Sequence, residues 1–348
     1  MPPGARRVVS AAIGILTLAA AGGCASATRQ RTATVATSVR TCTVTDPPTV
    51  LTVPSGGGDV VVDPSGRYVA ANNVLWSDGR AQVIPAPHFQ AIAVNAQGVV
   101  IGHDLDGSYV YRAGTVAKLP GITGSLSNDM AAFGIDSAGD IAGYAYLDRE
   151  PFLVPVIWPA GGAAPYELAI PSATGQSSVL AMGADGTAVG YASDGTAPDG
   201  HYNYPYVWMP DGTGHRLAMP GGMSAGGAMA ASGDWVVGWV AADPMGDGPR
   251  EEVRWNLRTG DVTRYPGNPG AFRSVVDSAG DVVIIGFGPD TGGAYVFRDG
   301  RRIPLPLPPG ADPKEYTATS ISADGGVIGG VRVETPDGLH TTSLIWRC

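Results

Sequence analysis

The chain has 348 residues, with 51 Gly, 29 Pro, 15% charged residues and a formal net charge of −9. Glycine and proline above their usual frequency, with so little charge, point to many short strands joined by tight turns and away from helices. Lys118 and Lys314 are the only lysines and the arginines are scattered, so a surface built to neutralise nucleic-acid phosphates is excluded.

The N-terminus carries Arg6 and Arg7, then an apolar stretch over residues 8–21, then small residues. This is the three-part layout of an export signal, and it is too short to span a membrane. Ala21-Gly22-Gly23-Cys24-Ala25-Ser26 resembles the lipobox of bacterial lipoproteins, except that Ala21 stands where Leu is usual. The resemblance implies removal of residues 1–23 and acylation of Cys24, which would hold the protein on the extracytoplasmic side of the cell membrane. A second reading is cleavage after Ala25-Ser26-Ala27, which would release a secreted protein. Arg6-Arg7 followed by Val8-Val9 is a poor fit to a twin-arginine export signal. Residues 24–40, rich in Thr and Ala, read as a flexible tether. Either cleavage leaves Cys42 and Cys348 in the folded part, at its two ends and in an oxidising compartment, where a disulfide between them is expected.

Residues 41–348 contain a sevenfold repeat. Its clearest mark is a turn glycine, at Gly66, Gly98, Gly139, Gly186, Gly233, Gly280 and Gly325. Six of these turns lead into an apolar run closing on Gly (Gly102, Gly143, Gly190, Gly238, Gly286, Gly329), and the first unit lacks that closure. An aromatic then recurs in register at Trp76, Tyr111, Trp158, Trp208, Trp255, Phe297 and Trp346. A second turn and a short strand ending near proline complete the unit. The reading is strand, tight turn, strand, variable loop, strand, tight turn, strand, the length of a four-stranded propeller blade. First strands made of small residues (AIAV, AAFGI, LAMG, GAMA, ATSI) suit the crowded axis of a propeller, with bulky aromatics farther out between blades. The predicted fold is therefore all-β, a seven-bladed β-propeller of four-stranded blades. The seventh unit stops at Trp346-Arg347-Cys348 without its last strand, and Thr49 to Pro54 has the matching pattern. The N-terminal strand is thus expected to complete the last blade.

Small residues, then I-D/N-x-x-G-x-V-V-G, then A-Y/F-V-W/F-x-D-G and a terminal L-x-P, resemble the bacterial extracellular HAF repeats. The sixth unit, at residues 271–283 and 294–300, carries the resemblance best, although no unit has the His-Ala-Phe triplet that names the family. The resemblance implies an exported propeller and supplies no catalytic residues.

Loops vary on one rim only, and sites are usually built where loops vary on a rigid scaffold. The candidate ligand-binding residues on that rim are His103, Tyr144, Asp148, Arg149, Tyr191, His201, Tyr202, Tyr204, Trp239 and Phe287. Aromatic faces beside carboxylates suit sugars or peptides. Asp104-Leu105-Asp106-Gly107 echoes the start of a calcium loop but lacks its later Glu, and the histidines do not pair at ligand spacing, so no metal or other cofactor is expected. Glu251-Glu252 reads as a pair of rim charges. The leading expectation is a non-catalytic, monomeric module binding an envelope glycan, peptide or protein, touching the membrane only through its anchor. The alternatives are a propeller enzyme, such as a polysaccharide lyase or hydrolase using carboxylates with His201 or His103, and a structural part of an envelope assembly.

Overall fold

A computed structural model describes residues 44–348, apart from 172–174, 194–202, 245–247, 266–272, 286–292, 335–339 and the side chains of 127–129. Seven antiparallel four-stranded sheets follow one another along the chain. Six of them, blades 1 to 6, take strands in simple sequence order within residues 60–83, 90–118, 125–167, 177–216, 225–265 and 273–304. Blade 7 takes three strands from residues 316–347, and its fourth is the N-terminal strand Thr49–Val50, paired as Thr49 with Ile345 and Val50 with Leu344. The protein is a seven-bladed β-propeller closed by its N-terminal strand.

The first strand of each blade contacts the first strands of both neighbours, all the way round, so these strands line the axis. Seven apolar clusters fill the seven junctions between adjacent blades. An open arc would have one junction fewer. Between blades 7 and 1, Thr319 Oγ1 and Ser320 Oγ donate to the Val60 carbonyl at 2.8 and 2.7 Å. Cys348 is disulfide-bonded; Cys42, its expected partner, and Cys24 lie outside the described residues.

Each repeated residue type has a job in this geometry. The acidic or amide residue before the turn glycine fixes the turn: Asp136 Oδ1 accepts from the Ala138 and Asp140 amides at 2.8 Å, and Asp277 Oδ1 from Ala279 and Asp281 at 2.9 and 2.8 Å. Adjacent turns are also linked, since the Ser278 amide donates to Ala323 O and the Ala323 amide to Pro64 O, both at 2.9 Å. The glycine closing the second strand sits opposite a bulge in the first strand in blades 2, 3, 4 and 5 (Gly102, Gly143, Gly190, Gly238). A Cβ on Gly190 would lie 1.9 Å from the Ser178 carbonyl oxygen. Blade 1, whose unit has no closing glycine, has no bulge.

The aromatics in register lie between blades, as expected. Trp158, Trp208, Trp255 and Trp346 each donate the indole N–H to a carbonyl of the preceding connector, at Pro120, Ala169, Ala218 and Pro306, over 2.7 to 2.9 Å. A buried indole needs such an acceptor.

Candidate functional site

The connections between second and third strands, and those leading to the next blade, end on one rim. On blades 2 and 3 that rim bears a run of touching rings. His103 meets Phe133 edge-on at 5.7 Å, Phe133 lies 5.7 Å from Tyr144, and Tyr144 meets Tyr146 edge-on at 5.6 Å. Phe133 owes its place to the bulge between Ala132 and Gly134, which takes it out of the ladder. Tyr144 is flanked across the sheet by Ala131 and Pro155, which leave room for its ring. Tyr191 of blade 4 joins the group: burial pushes its hydroxyl up to about 12, with Tyr146 and Tyr144 adding to the effect.

The outer part of this rim is apolar and exposed. Leu105, Leu126, Tyr146 and Phe152 are 85%, 44%, 41% and 48% accessible. All four lie at the rim ends of blades 2 and 3, and exposed acids Asp106, Asp148 and Glu150 stand in the same loops. The Tyr109 hydroxyl and the Lys118 ammonium hold Asp106 below the usual carboxylate range. Asp104 accepts from the Leu105 amide at 2.6 Å, so the calcium-like sequence forms a tight hairpin turn.

The other sequence candidates are placed as follows. Burial lowers the His103 pKa, and its Nε2 lies 3.1 Å from the Ala132 carbonyl, so Nε2 carries the proton of a neutral ring. Arg149 is tied to Glu167, and Asp148 is exposed. Trp239 is covered by the Arg250 guanidinium, 4.1 Å from its centroid. Tyr204 is buried at the junction of blades 3 and 4, against Tyr206 and under Arg216, because its strand position faces the neighbouring blade. His201, Tyr202 and Phe287 lie outside the described residues. The structure thus gathers His103, Tyr144 and Tyr191, and adds Phe133 and Tyr146, which the sequence reading missed. Phe133 had a signal: it is the aromatic in an otherwise small-residue first strand.

A second polar group contradicts the reading of Glu251-Glu252 as rim charges. Glu251 does pair with Arg264 at the surface, but Glu252 is 2% exposed. Strand alternation turns adjacent residues to opposite faces, and Glu252 faces blade 6. Burial raises its pKa to about 8, with the Ser274 hydroxyl as the opposing influence. Four of the buried polar atoms without a partner among the described residues cluster at this junction: Glu252 Oε1, Arg254 Nε, Tyr265 OH and Ser274 Oγ.

The other blades show how unusual this is. In the other six blades an amide at the end of the fourth strand donates to the third strand, at Leu51 to Ser343, Ile84 to Asn73, Leu119 to Ser108, Leu168 to Pro155, Leu217 to Pro205 and Leu305 to Ala294. In blade 5 the same row is Tyr265 and Glu252. An aliphatic residue over an uncharged one has become a phenol over a carboxyl.

No protein-family profile matches the chain, and no curated protein matches it in sequence. Among solved structures it is similar to the oligogalacturonate lyase of Vibrio parahaemolyticus, at 9% identity and TM-score 0.53, covering 85% of this chain and 92% of that one. An oligogalacturonate lyase in complex with manganese is alike at 9% identity and TM-score 0.52, covering 87% and 96%. TolB from Acinetobacter baumannii, at 16% identity and TM-score 0.39, covers 73% of this chain, which spans 65% of TolB's length. At such identities the likeness is one of fold, and the fold is that of a β-propeller.

Proposed function

We propose that this protein is an exported binding module, held at the cell envelope through Cys24, whose rim over blades 2 and 3 docks a basic, partly apolar segment of an envelope protein or peptide. The observation that carries this reading is the grouping of Leu105, Leu126, Tyr146 and Phe152, all exposed, at the rim of two adjacent blades. Scattered apolar side chains need no explanation, whereas a group at one place marks an interaction surface. The exposed acids beside them, Asp148 and Glu150, favour a cationic partner over an anionic one at this rim. The aliphatic members favour a protein or peptide over a glycan, which stacks on rings and gains little from leucine.

The test is a photo-crosslinker placed at Phe152 or Leu105 in cells, compared with one at Val83 on the outer strand of blade 1. The expected result is one discrete adduct from the rim positions, absent at Val83 and lost on adding Tyr146→Ser at the rim. Adducts of equal yield from all three positions, or none from the rim, would overturn the reading. Anchoring is tested by Cys24→Ser, which should move the protein from the membrane fraction to the medium. Retention at the membrane would refute it.

A further inference from the structure

On the face opposite the variable loops, a cavity of about 700 Å³ opens between blades 1 and 2. Its walls include Tyr68, Ser77, Arg80, Gln82, Gln97 and Ala113. Its size falls in the range of roughly 300 to 1,000 Å³ usual for small-molecule sites.

At the cavity one repeat position carries an unusually small side chain. The residue following the in-register aromatic is Arg112 in blade 2, Arg298 in blade 6 and Arg347 in blade 7. Arg112 reaches across to blade 3, where it donates to the Ala160 carbonyl at 3.2 Å and packs against the turn at Gly139. Arg347 reaches blade 1 and donates to the Gly66 carbonyl at 3.3 Å. In blade 1 the corresponding residue is Ser77, the smallest of the seven, and the space that an arginine spans elsewhere stays open toward Gly98.

The chemistry of the walls then selects the occupant. Tyr68 is a packed part of the wall: it lies against Gly98, where a Cβ would stand 2.7 Å from its ring, and carries the Arg67 guanidinium 5.2 Å from its centroid. Asp78 is already engaged by Arg67 at 3.1 Å. Arg80 makes no ion pair among the described residues and is exposed, so it is the uncompensated charge of the cavity. Gln82 and Gln97 present exposed amides, which both donate and accept. Two amides for hydroxyls and a guanidinium for a carboxylate together describe a saccharide that carries an acid group.

We propose that the cleft between blades 1 and 2 binds an acidic saccharide, with Arg80 on its carboxylate and Gln82 and Gln97 on its hydroxyls. This site is separate from the protein-docking rim, on the other face of the ring. The test is calorimetric titration of the purified protein with a glucuronate-containing disaccharide, beside the same disaccharide as its methyl ester. Binding should be measurable at millimolar concentration or better and weaker for the ester. Arg80→Ala should weaken it by roughly tenfold or more, the effect of removing a charged hydrogen bond. Ser77→Arg, which fills the cleft with the side chain that crosses the junctions after blades 2 and 7, should abolish it. Arg80 and Ser77 lie at the surface end of the blade, and unchanged melting temperatures would show that both variants fold. Phe152→Ser on the rim should leave saccharide binding unchanged, which separates this site from the docking surface. No heat of binding at millimolar disaccharide, equal affinity for acid and ester, or full affinity in Arg80→Ala and Ser77→Arg would each overturn the proposal.

Discussion

Replacing Glu252 by Gln should make the domain more stable at neutral and alkaline pH and remove most of the fall in its stability above pH 6.5. In the folded protein, burial raises the Glu252 pKa from 4.5 to about 8. Below 4.5 the carboxyl is protonated whether the chain is folded or not, and it has no effect on the balance. Between 4.5 and about 8 the unfolded chain releases the proton while the folded chain keeps it, so each pH unit moves the equilibrium toward unfolding by about 1.4 kcal/mol. Over the whole window the loss approaches about 5 kcal/mol, as an upper figure, because local opening of the junction limits the cost of ionising there. Two other groups must be kept apart from it. Asp277, raised to about 6 by burial and by Asp281, produces a fall of the same sign that is at half strength at pH 6 and spent by about pH 7. His103, whose pKa burial lowers, contributes stability that is lost as pH falls below its unfolded value of 6.5, and is silent above it. The groups around Glu252 at this junction are Ser274, Tyr265, Tyr295 and the permanently charged Arg254, and the tyrosine pKa values are raised above 10 by burial. The informative range is therefore about pH 7 to 8, where the slope from Glu252 declines from nearly its full value to half. Urea midpoints at quarter-unit steps should fall by an amount equivalent to about 1 kcal/mol per unit in the native protein and stay nearly level in Glu252→Gln. Parallel slopes in the two proteins would refute the assignment of a neutral, buried carboxyl.

Two further outcomes follow from the repeat geometry. Gly190→Ala places a Cβ 1.9 Å from the Ser178 carbonyl oxygen, against backbone that has no room to yield, and should cost about 3 kcal/mol or more, seen as a large drop in melting temperature. Ala113 holds a left-handed conformation, φ 48°, in a two-residue turn before Gly114, where blades 1 and 6 use Asp78 and Asp299. Ala113→Asn should raise stability by about 0.5 to 1 kcal/mol, measured by the same denaturation, and a lower stability would count against the turn assignment.

Much of the ring is legible in the sequence because each structural demand recurs seven times with the same solution. The small first strands, the turn glycines and the in-register tryptophans each answer a local steric requirement, and local requirements leave local signatures. Closure by the N-terminal strand was legible for a related reason, since a blade missing one strand must be completed from the other end. The observed strand is shorter than the Thr49 to Pro54 pattern: only Thr49–Val50 is strand, with Leu51 adding one amide bond to Ser343. What the sequence concealed depends on which face of a strand a residue occupies. Glu251 and Glu252 look alike in a string of letters, and one step of strand alternation sends the first to Arg264 at the surface and the second into a dry junction. Tyr204 was misplaced for the same reason. The cleft beside Ser77 was hidden differently, because a small residue in a repeat is informative only once the arginines at the equivalent positions are seen to cross a junction.

These cases suggest how function can be sought in a ring whose copies otherwise agree. Positions that keep one chemistry in all blades maintain the propeller, and the free energy of closure constrains them. A blade that departs from its siblings gives up part of that stabilisation: blade 5 buries a carboxyl where the others place uncharged residues, and blade 1 leaves open a gap that an arginine fills at the junctions after blades 2 and 7. Neither departure improves packing, and neither is needed for closure, since the neighbouring junctions close without it. The two differ in what they imply. The gap at Ser77 is open to solvent and bordered by a guanidinium with no ion pair among the described residues, so it has the access a ligand requires. Glu252 is sealed between two blades, so its effect on the molecule is on stability, and the pH dependence of unfolding is where that effect will be seen.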